Sequence, residues 1–317
     1  MSNIVLTTKC NRKCKYCFAD NSSKNHMVFQ KTNFITAVDW LASDSSNIVN
    51  RIGLIGGEPT KHPKFIEFLD YILSKKMNTI VFTNGMVKNK DTLYDVIKIA
   101  GKNKVNHSNH LCFCLNMNET YYRSMNEDVL QEQFLNVLGK VTALSFNIFE
   151  PKCDLNFLIE IINKYKMLRT IRLGLAVPLK NKNKFLSPSE YNFVGKKITN
   201  FIKTLKNQNI KVDFDCGFTK CMFTEDQLSV INSGPVKTMS FDCGPIIDIY
   251  SNLEITNCYP LAKEFKVKLK DFSNYRELHT YWKEKILKLD PMYKKCYSCT
   301  DFNNGCNGGC KAHKLYG

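Results

Sequence analysis

The stretch NIVLTTKCNRKCKYC, from Asn3 to Cys17, decides the architecture. Asn3–Thr8 is apolar and β-branched enough to read as a strand. The next residues change character at once. Lys, Asn and Arg surround three cysteines, Cys10, Cys14 and Cys17, in a CxxxCxxC run. Three thiols on one short loop can converge on one face of a metal cluster, and cysteine thiolates are the usual ligands of such clusters. Three ligands leave one metal without a protein donor, free to bind a substrate or cofactor. Zinc is the competing reading, but a structural zinc site usually takes four protein ligands.

Outward from this stretch, strand and helix alternate. Thr32–Ala42 is helical by spacing, and Arg51–Ile55 is a second strand ending in Gly56, Gly57, Glu58 and Pro59. Pro63–Ser74 is helical, with proline in the first turn. Asn78–Thr83 is a third strand, stopped by Asn84-Gly85. Asp91–Ile99, Asn126–Leu138, Leu155–Tyr165 and Ser189–Lys206 read as helices, and His110–Asn116, Ala143–Phe149 and Thr170–Val177 as strands. Six strand–helix units in series predict an α/β fold with a parallel sheet and helices outside it. Six are too few for a closed eight-unit barrel, so a partial (β/α)6 barrel is expected, with an open doubly wound sheet as the alternative.

The rhythm breaks near residue 210. Ile210–Asp215 reads as one more strand. Loop-rich sequence follows, with a hairpin-like stretch at Ile246–Thr256 and a helix at Tyr275–Leu289. The expected division is a barrel over residues 1–209 and a small Cys-rich domain over 210–317.

Composition narrows the classes. The 317 residues are 44% hydrophobic with 9 Pro and 15 Gly, which excludes a disordered or collagen-like chain. No apolar run is long enough to span a membrane, and the N-terminus lacks a signal peptide, so a reducing cytoplasm is expected. Disulfides are disfavoured there, and 14 cysteines then point to metal or redox chemistry. Cys112 and Cys114, in an apolar run, read as core packing, as does Cys153. The net charge of +16 is spread along the chain, the pattern of a solvated surface rather than a nucleic-acid groove. An acidic peptide or anionic cofactor are its functional readings. The six histidines are scattered and read as surface residues, with His313 a possible substitute ligand near Cys310.

CxxxCxxC after the first strand, GGEP after the second and Thr83-Asn84-Gly85 after the third resemble the radical S-adenosylmethionine (radical SAM) superfamily. The resemblance implies that Cys10, Cys14 and Cys17 hold a [4Fe–4S] cluster that binds SAM. It implies that Tyr16 lies against the adenine and that Gly56, Gly57, Glu58 and Pro59 meet the amino group. Asn84, Asn116 and Asn147, near strand ends, are positional candidates for further cofactor contacts.

The C-terminal third holds Cys243, Cys258, a CxxC at Cys296 and Cys299, then Cys306 and Cys310. This arrangement resembles the SPASM extension, or its shorter twitch relative, which carries auxiliary Fe–S clusters. Gly305, Gly308 and Gly309 would let the backbone wrap closely around one. Three departures stand out. Leu253 replaces a glycine five residues before the second Cys, the central spacing is six residues rather than five, and no seventh Cys follows Cys310. Cys216 and Cys221 would raise the thiol count from six to the eight that two auxiliary clusters need. Either could instead be a free thiol that donates a hydrogen atom to a substrate radical. One auxiliary cluster and two both remain open here, with two favoured.

The resemblance implies cleavage of SAM to a 5′-deoxyadenosyl radical that abstracts a hydrogen atom. The favoured function is oxidative modification of a ribosomally made peptide, by cross-linking or epimerisation. The chain starts at its first strand, so a separate leader-binding protein or a short substrate is expected. Flavodoxin or ferredoxin is the expected electron donor, and no membrane or nucleic-acid partner is expected. The alternatives are a small-molecule radical SAM dehydrogenase or tailoring enzyme and, more remotely, a zinc-bearing nucleic-acid or interaction module.

Overall fold

In the computed structural model, which describes residues 2–19, 26–44, 51–105, 110–179 and 183–316, the six expected units form where the periodicity places them. Strands β1 (Ser2–Thr7), β2 (Arg51–Gly56), β3 (Asn78–Thr83), β4 (Leu111–Asn116), β5 (Thr142–Ile148) and β6 (Thr170–Leu175) alternate with helices α1 (Lys31–Ala42), α2 (Phe65–Ser74), α3 (Lys90–Lys102), α4 (Met125–Leu138), α5 (Phe157–Lys164) and α6 (Tyr191–Leu205). The anticipated seventh strand is β7 (Lys211–Phe214), parallel to β6.

Strand order settles the choice between the two sheet types. β1 to β7 lie side by side in chain order, all parallel, and β8 (Val236–Thr238) continues beyond β7. A doubly wound sheet reverses its strand order midway to place helices on both faces. Here the order never reverses, so right-handed crossovers put the helices on one face.

The other edge is extended from the far end of the chain. β9 (Ile247–Ile249) pairs parallel with β1, and β10 (Glu254–Thr256) closes the expected hairpin on β9. β11 (Val267–Lys268) follows β10. The 11-stranded sheet is therefore continuous across residue 210. Helix α7 (Glu225–Ser233) forms in sequence that reads as loop, behind a reciprocal cap between Thr224 and Gln227. α8 (Tyr275–Leu287) and the short α9 (Lys311–Tyr316) complete the chain.

The two faces of the sheet differ sharply. Ile4, Leu54, Val81, Phe113, Leu144, Phe146 and Leu173 point to the helices and are dry. Each such side chain contributes about 1.5–3 kcal/mol. On α2, Phe65, Phe68, Leu69 and Ile72 recur at helical spacing, and Phe68 stacks on Phe34 of α1 with ring centroids 3.8 Å apart. The alternate strand residues face the other way, and several of them, Phe82, Asn116, Asn147, Arg172 and Asp213, remain partly accessible. Cys112 and Cys114 share β4 and are buried, as is Cys153. Burial pushes the Cys114 and Cys153 thiols up to about 11, consistent with their expected packing role.

Two histidines depart from the surface reading. His62 is buried, with Nε2 3.0 Å from the Phe29 carbonyl and Nδ1 accepting from Lys64 N–H. His313 is also buried, edge-on to Phe185 and Tyr191. Each fills a gap beneath aromatic rings that one-dimensional spacing does not show. His107 lies outside the described residues.

Candidate active site

The Cys10–Cys17 loop leaves β1 at the carboxyl end of the sheet and is clamped from four sides. Gly57 N–H donates to Thr7 O and Glu58 N–H to Lys9 O, each at 2.8 Å, which binds the GGEP strip to the loop's first arm. Gly56 has φ +150°, and a Cβ there would stand 2.2 Å from Thr7 O. The glycine thus serves close approach of two backbones. Glu58 is buried with both oxygens engaged. It accepts from Thr60 N–H and Oγ1, from Thr83 Oγ1 and, at 2.7 Å, from Asn84 N–H. Burial raises its pKa, and those four donors oppose the rise. Pro59 opens the turn that Glu58 caps.

Asn84 is the hub on the β3 side. Its Nδ2 donates to Asn11 Oδ1 at 2.9 Å and lies 3.8 Å from Cys10 Sγ. On the β4 side, Tyr16 is buried and stacks on Phe149 with centroids 4.9 Å apart. Its hydroxyl donates to Asn118 Oδ1 at 2.7 Å and lies 3.0 Å from Asn116 Oδ1. Asn147 reaches over β6, where its Oδ1 lies 2.6 Å from the point a Cβ on Gly174 would occupy.

Arg12, between the first two cysteines, is missed by sequence reasoning. Its guanidinium turns inward, donates to Asn116 O at 2.8 Å and pairs with Glu127 of α4. Burial disfavours its charge, but the Cys14 and Glu127 neighbours hold it firmly protonated. A basic residue in a Lys-rich loop gives no signal that it points inward.

The three thiols sense one another. Burial raises Cys17 to about 11, with Cys14 and Cys10 adding to the rise. Arg12 N–H lies 3.4 Å from Cys10 Sγ, the kind of donor a thiolate ligand needs.

The eight C-terminal thiols fall into two groups of four. Cys216, Cys243, Cys258 and Cys310 act on one another electrostatically; crowding by protein raises Cys216, Cys258 and Cys310, and the neighbouring thiols add to it. Cys310 reaches about 12. Cys216 itself is exposed. Cys221, Cys296, Cys299 and Cys306 line a second cavity together with Thr219, Lys220, Asp301 and Phe302. An ion pair of 2.6 Å between Lys220 and Asp301 draws the Cys221 loop onto the CxxC segment. Gly308 has φ +74°, and a Cβ there would meet Pro291 at 2.5 Å and Cys296 Sγ at 3.4 Å. Among the described residues, no three His, Cys, Asp or Glu side chains close on a single ion-sized point. As donor sets, one group of three thiols and two of four suit iron–sulfur ligation.

A family model of the radical SAM superfamily matches residues 4–173, more than half of the chain. The protein belongs to the radical SAM superfamily, and membership implies a [4Fe–4S] cluster and SAM. Among curated relatives, the Selenomonas ruminantium S-adenosylmethionine-dependent nucleotide dehydratase is 34% identical over 83 residues, covering 26% of this chain and 29% of that protein. The Bacillus subtilis subtilosin biosynthesis protein AlbA is 33% identical over 88 residues, covering 28% and 19%. A probable GTP 3′,8-cyclase of Saccharolobus islandicus is 23% identical over 172 residues, covering 54% and 51%. The chain thus spans between a fifth and about half of these relatives. Among solved structures, Streptococcus suis SuiB bound to precursor peptide SuiA superposes with TM-score 0.66 at 16% identity, over 99% of this chain and 72% of that one. At that identity the likeness is one of fold. Among the described residues, no helix is long and apolar enough to cross a membrane.

Proposed function

We propose that this radical SAM enzyme oxidatively modifies a ribosomally made peptide, with two auxiliary [4Fe–4S] clusters taking up the second electron. The carrying observation is the sorting of eight C-terminal thiols into two groups of four. Cys216, Cys243, Cys258 and Cys310 would hold one cluster, and Cys221, Cys296, Cys299 and Cys306 the other. Cys221 then completes the second set of four. The likeness to AlbA and the fold shared with SuiB favour a peptide substrate over a small molecule.

The N-terminal cluster and SAM, when bound, supply a 5′-deoxyadenosyl radical able to remove one hydrogen atom from carbon. Cys10, Cys14 and Cys17 would hold that cluster, with the Gly56–Pro59 strip, Tyr16, Asn84, Asn116 and Asn147 around SAM. The chain's own contribution is rigidity. Arg12 and Asn84 fix the loop, and Glu58 fixes the strip. Net oxidation removes a second hydrogen as a proton and an electron, the electron leaving through the auxiliary sites to a flavodoxin- or ferredoxin-type carrier. Cytoplasmic residence fits such thiols, which need a reducing compartment.

A nucleotide or other small-molecule substrate is the second reading, favoured by the dehydratase and cyclase matches. Anaerobic reconstitution separates the claims. About 12 iron per chain is expected, falling to about 8 in a Cys10/Cys14/Cys17 triple alanine variant and in Cys221→Ala plus Cys299→Ala. Incubation with a candidate precursor peptide should lower its mass by two hydrogens. Zinc in place of iron, or turnover of a nucleotide with no change in any peptide, overturns the proposal.

A further inference from the structure

One polar lane crosses the accessible face of the sheet and runs up to the Cys216 group. It starts at Asn116, whose side chain meets Tyr16 of the cysteine loop, passes Asn147 and ends at Asp215, which directly precedes Cys216. In the middle stands Arg172 of β6. Its guanidinium pairs with Asp215 and lies over the Phe82 ring, 5.3 Å from the centroid. Both charged side chains are about a quarter exposed, at 26% and 25%. The pair therefore borders open space rather than sealing a core.

Small residues neighbour the pair. Gly174 is the next residue of β6 on this face beyond Arg172, and Ala176 follows just past the strand's carboxyl end. A Cβ at Gly174 would stand 2.6 Å from Asn147 Oδ1 and 3.5 Å from Asp215 Oδ2, so the bare glycine lets the Asn147 amide fold over β6 and come beside Asp215. Arg172 already faces Asp213 across the ladder between β6 and β7, so its side-chain pairing with Asp215 is additional to the sheet register.

The chemistry of the pair identifies what it would hold. Together the two groups are neutral, so they do not select a net charge. Arginine has five N–H donors, of which Asp215 uses part, and a carboxylate has lone pairs to spare. One donor fork beside one acceptor matches a backbone amide, whose C=O accepts and whose N–H donates. We propose that Arg172 and Asp215 bind a backbone amide of the peptide substrate and so hold the reacting residue on the accessible face of the sheet, between Asn147 and the Cys216 group. The proposal rests on the peptide reading above. Arg172 and Asp215 are positioning residues in it.

The test uses the reconstituted full chain and a precursor peptide that the wild type converts. Arg172→Lys, Arg172→Met and Asp215→Asn are compared with wild type for KM, kcat, iron content and SAM affinity. A KM for peptide raised about 10- to 100-fold, with iron and SAM affinity unchanged, is expected for the loss of one charge-assisted hydrogen bond. Asp215→Asn keeps shape, so it guards against a folding failure in Arg172→Met. The peptide is then made with single backbone esters in place of amides. An ester at one position should weaken wild-type turnover and weaken Asp215→Asn less, because an amide oxygen accepts less strongly than a carboxylate. Wild-type KM values in all three variants, or equal ester penalties in wild type and Asp215→Asn, overturn the proposal and leave the peptide reading standing. Conversion of a small molecule but of no peptide overturns both.

Discussion

Replacing Glu127 by Ala should damage the cysteine loop from a distance. Glu127 and Arg12 are buried, with side chains only 7% and 5% exposed, and their ion pair ties the loop to the first turn of α4. Removing the carboxylate strands a guanidinium whose Nε already has no partner and whose remaining bond is to Asn116 O. Breaking a buried pair in this way costs about 3–5 kcal/mol. The carboxylate also favours the α4 N-terminus by about 0.3–1 kcal/mol, which is lost as well. Urea unfolding of the metal-free chain should therefore show a loss near 4 kcal/mol, or about 3 for Glu127→Gln, which keeps shape and one acceptor. The loss should shrink in the reconstituted protein, because the thiolates that would ligate iron beside Arg12 carry negative charge. The double variant Arg12→Met with Glu127→Leu should recover most of the stability, since no charge is then left unpaired. A loss below about 1 kcal/mol for Glu127→Ala in the metal-free chain, or a double variant as unstable as the single, refutes the claim that this pair sets the loop.

Burial holds His313 down to about 4, so it should make the metal-free chain acid-sensitive. Above its unfolded value near 6.5 nothing is lost. As pH falls, the unfolded chain takes up the proton first, and about 2 kcal/mol should be gone by pH 5. His313→Leu should flatten that slope, and an unchanged slope in urea titrations at pH 7 and 5 counts against it. Gly56→Ala should cost about 2–3 kcal/mol by thermal unfolding, because its new methyl meets Thr7 O at 2.2 Å in a positive-φ conformation. Leu253 stands at φ +59°. Leu253→Gly should accordingly be more stable than Leu253→Ala by about 1 kcal/mol, the cost of a side chain in that conformation.

Much of the fold was legible because its periodicities are local. The apolar stripe of α2 and the thiol loop after β1 need no knowledge of distant residues. Even α7 carried a readable signal, since Thr224 and Gln227 form a capping box three residues apart. What could not be read was direction. Nothing in KCNRKCK distinguishes Arg12, which is buried, from Lys13 and Lys15, which are exposed. The pairing of Arg172 with Asp215 joins β6 to the residue just past β7, 43 residues on in sequence, and only the pairing of the two strands brings them together. Leu253 shows the reverse case. The sequence departs from the SPASM glycine there, yet the backbone keeps the left-handed turn that a glycine would adopt, and a half-buried Leu bears its strain.

The eight C-terminal thiols gain their meaning from the same kind of long-range placement. Cys216 and Cys221 are neighbours in sequence but join different groups, because the chain between them turns through Gly217, at φ +102°. Cys310 lies against that turn, with its Cβ 3.6 Å from where a Cβ on Gly217 would stand. Lys220 then swings Cys221 toward Asp301 and away from Cys216. One short loop after β7 thus feeds both groups, and it begins at Asp215, the last residue of the polar lane. A substrate held on that lane would sit between the SAM side of the sheet and the first auxiliary group. The Cys216 group adjoins that lane, whereas the Cys221 group lies beyond the Gly217 turn. Loop mutations at Gly217 or Lys220 should for that reason disturb both auxiliary sites at once, while leaving the Cys10–Cys17 site intact.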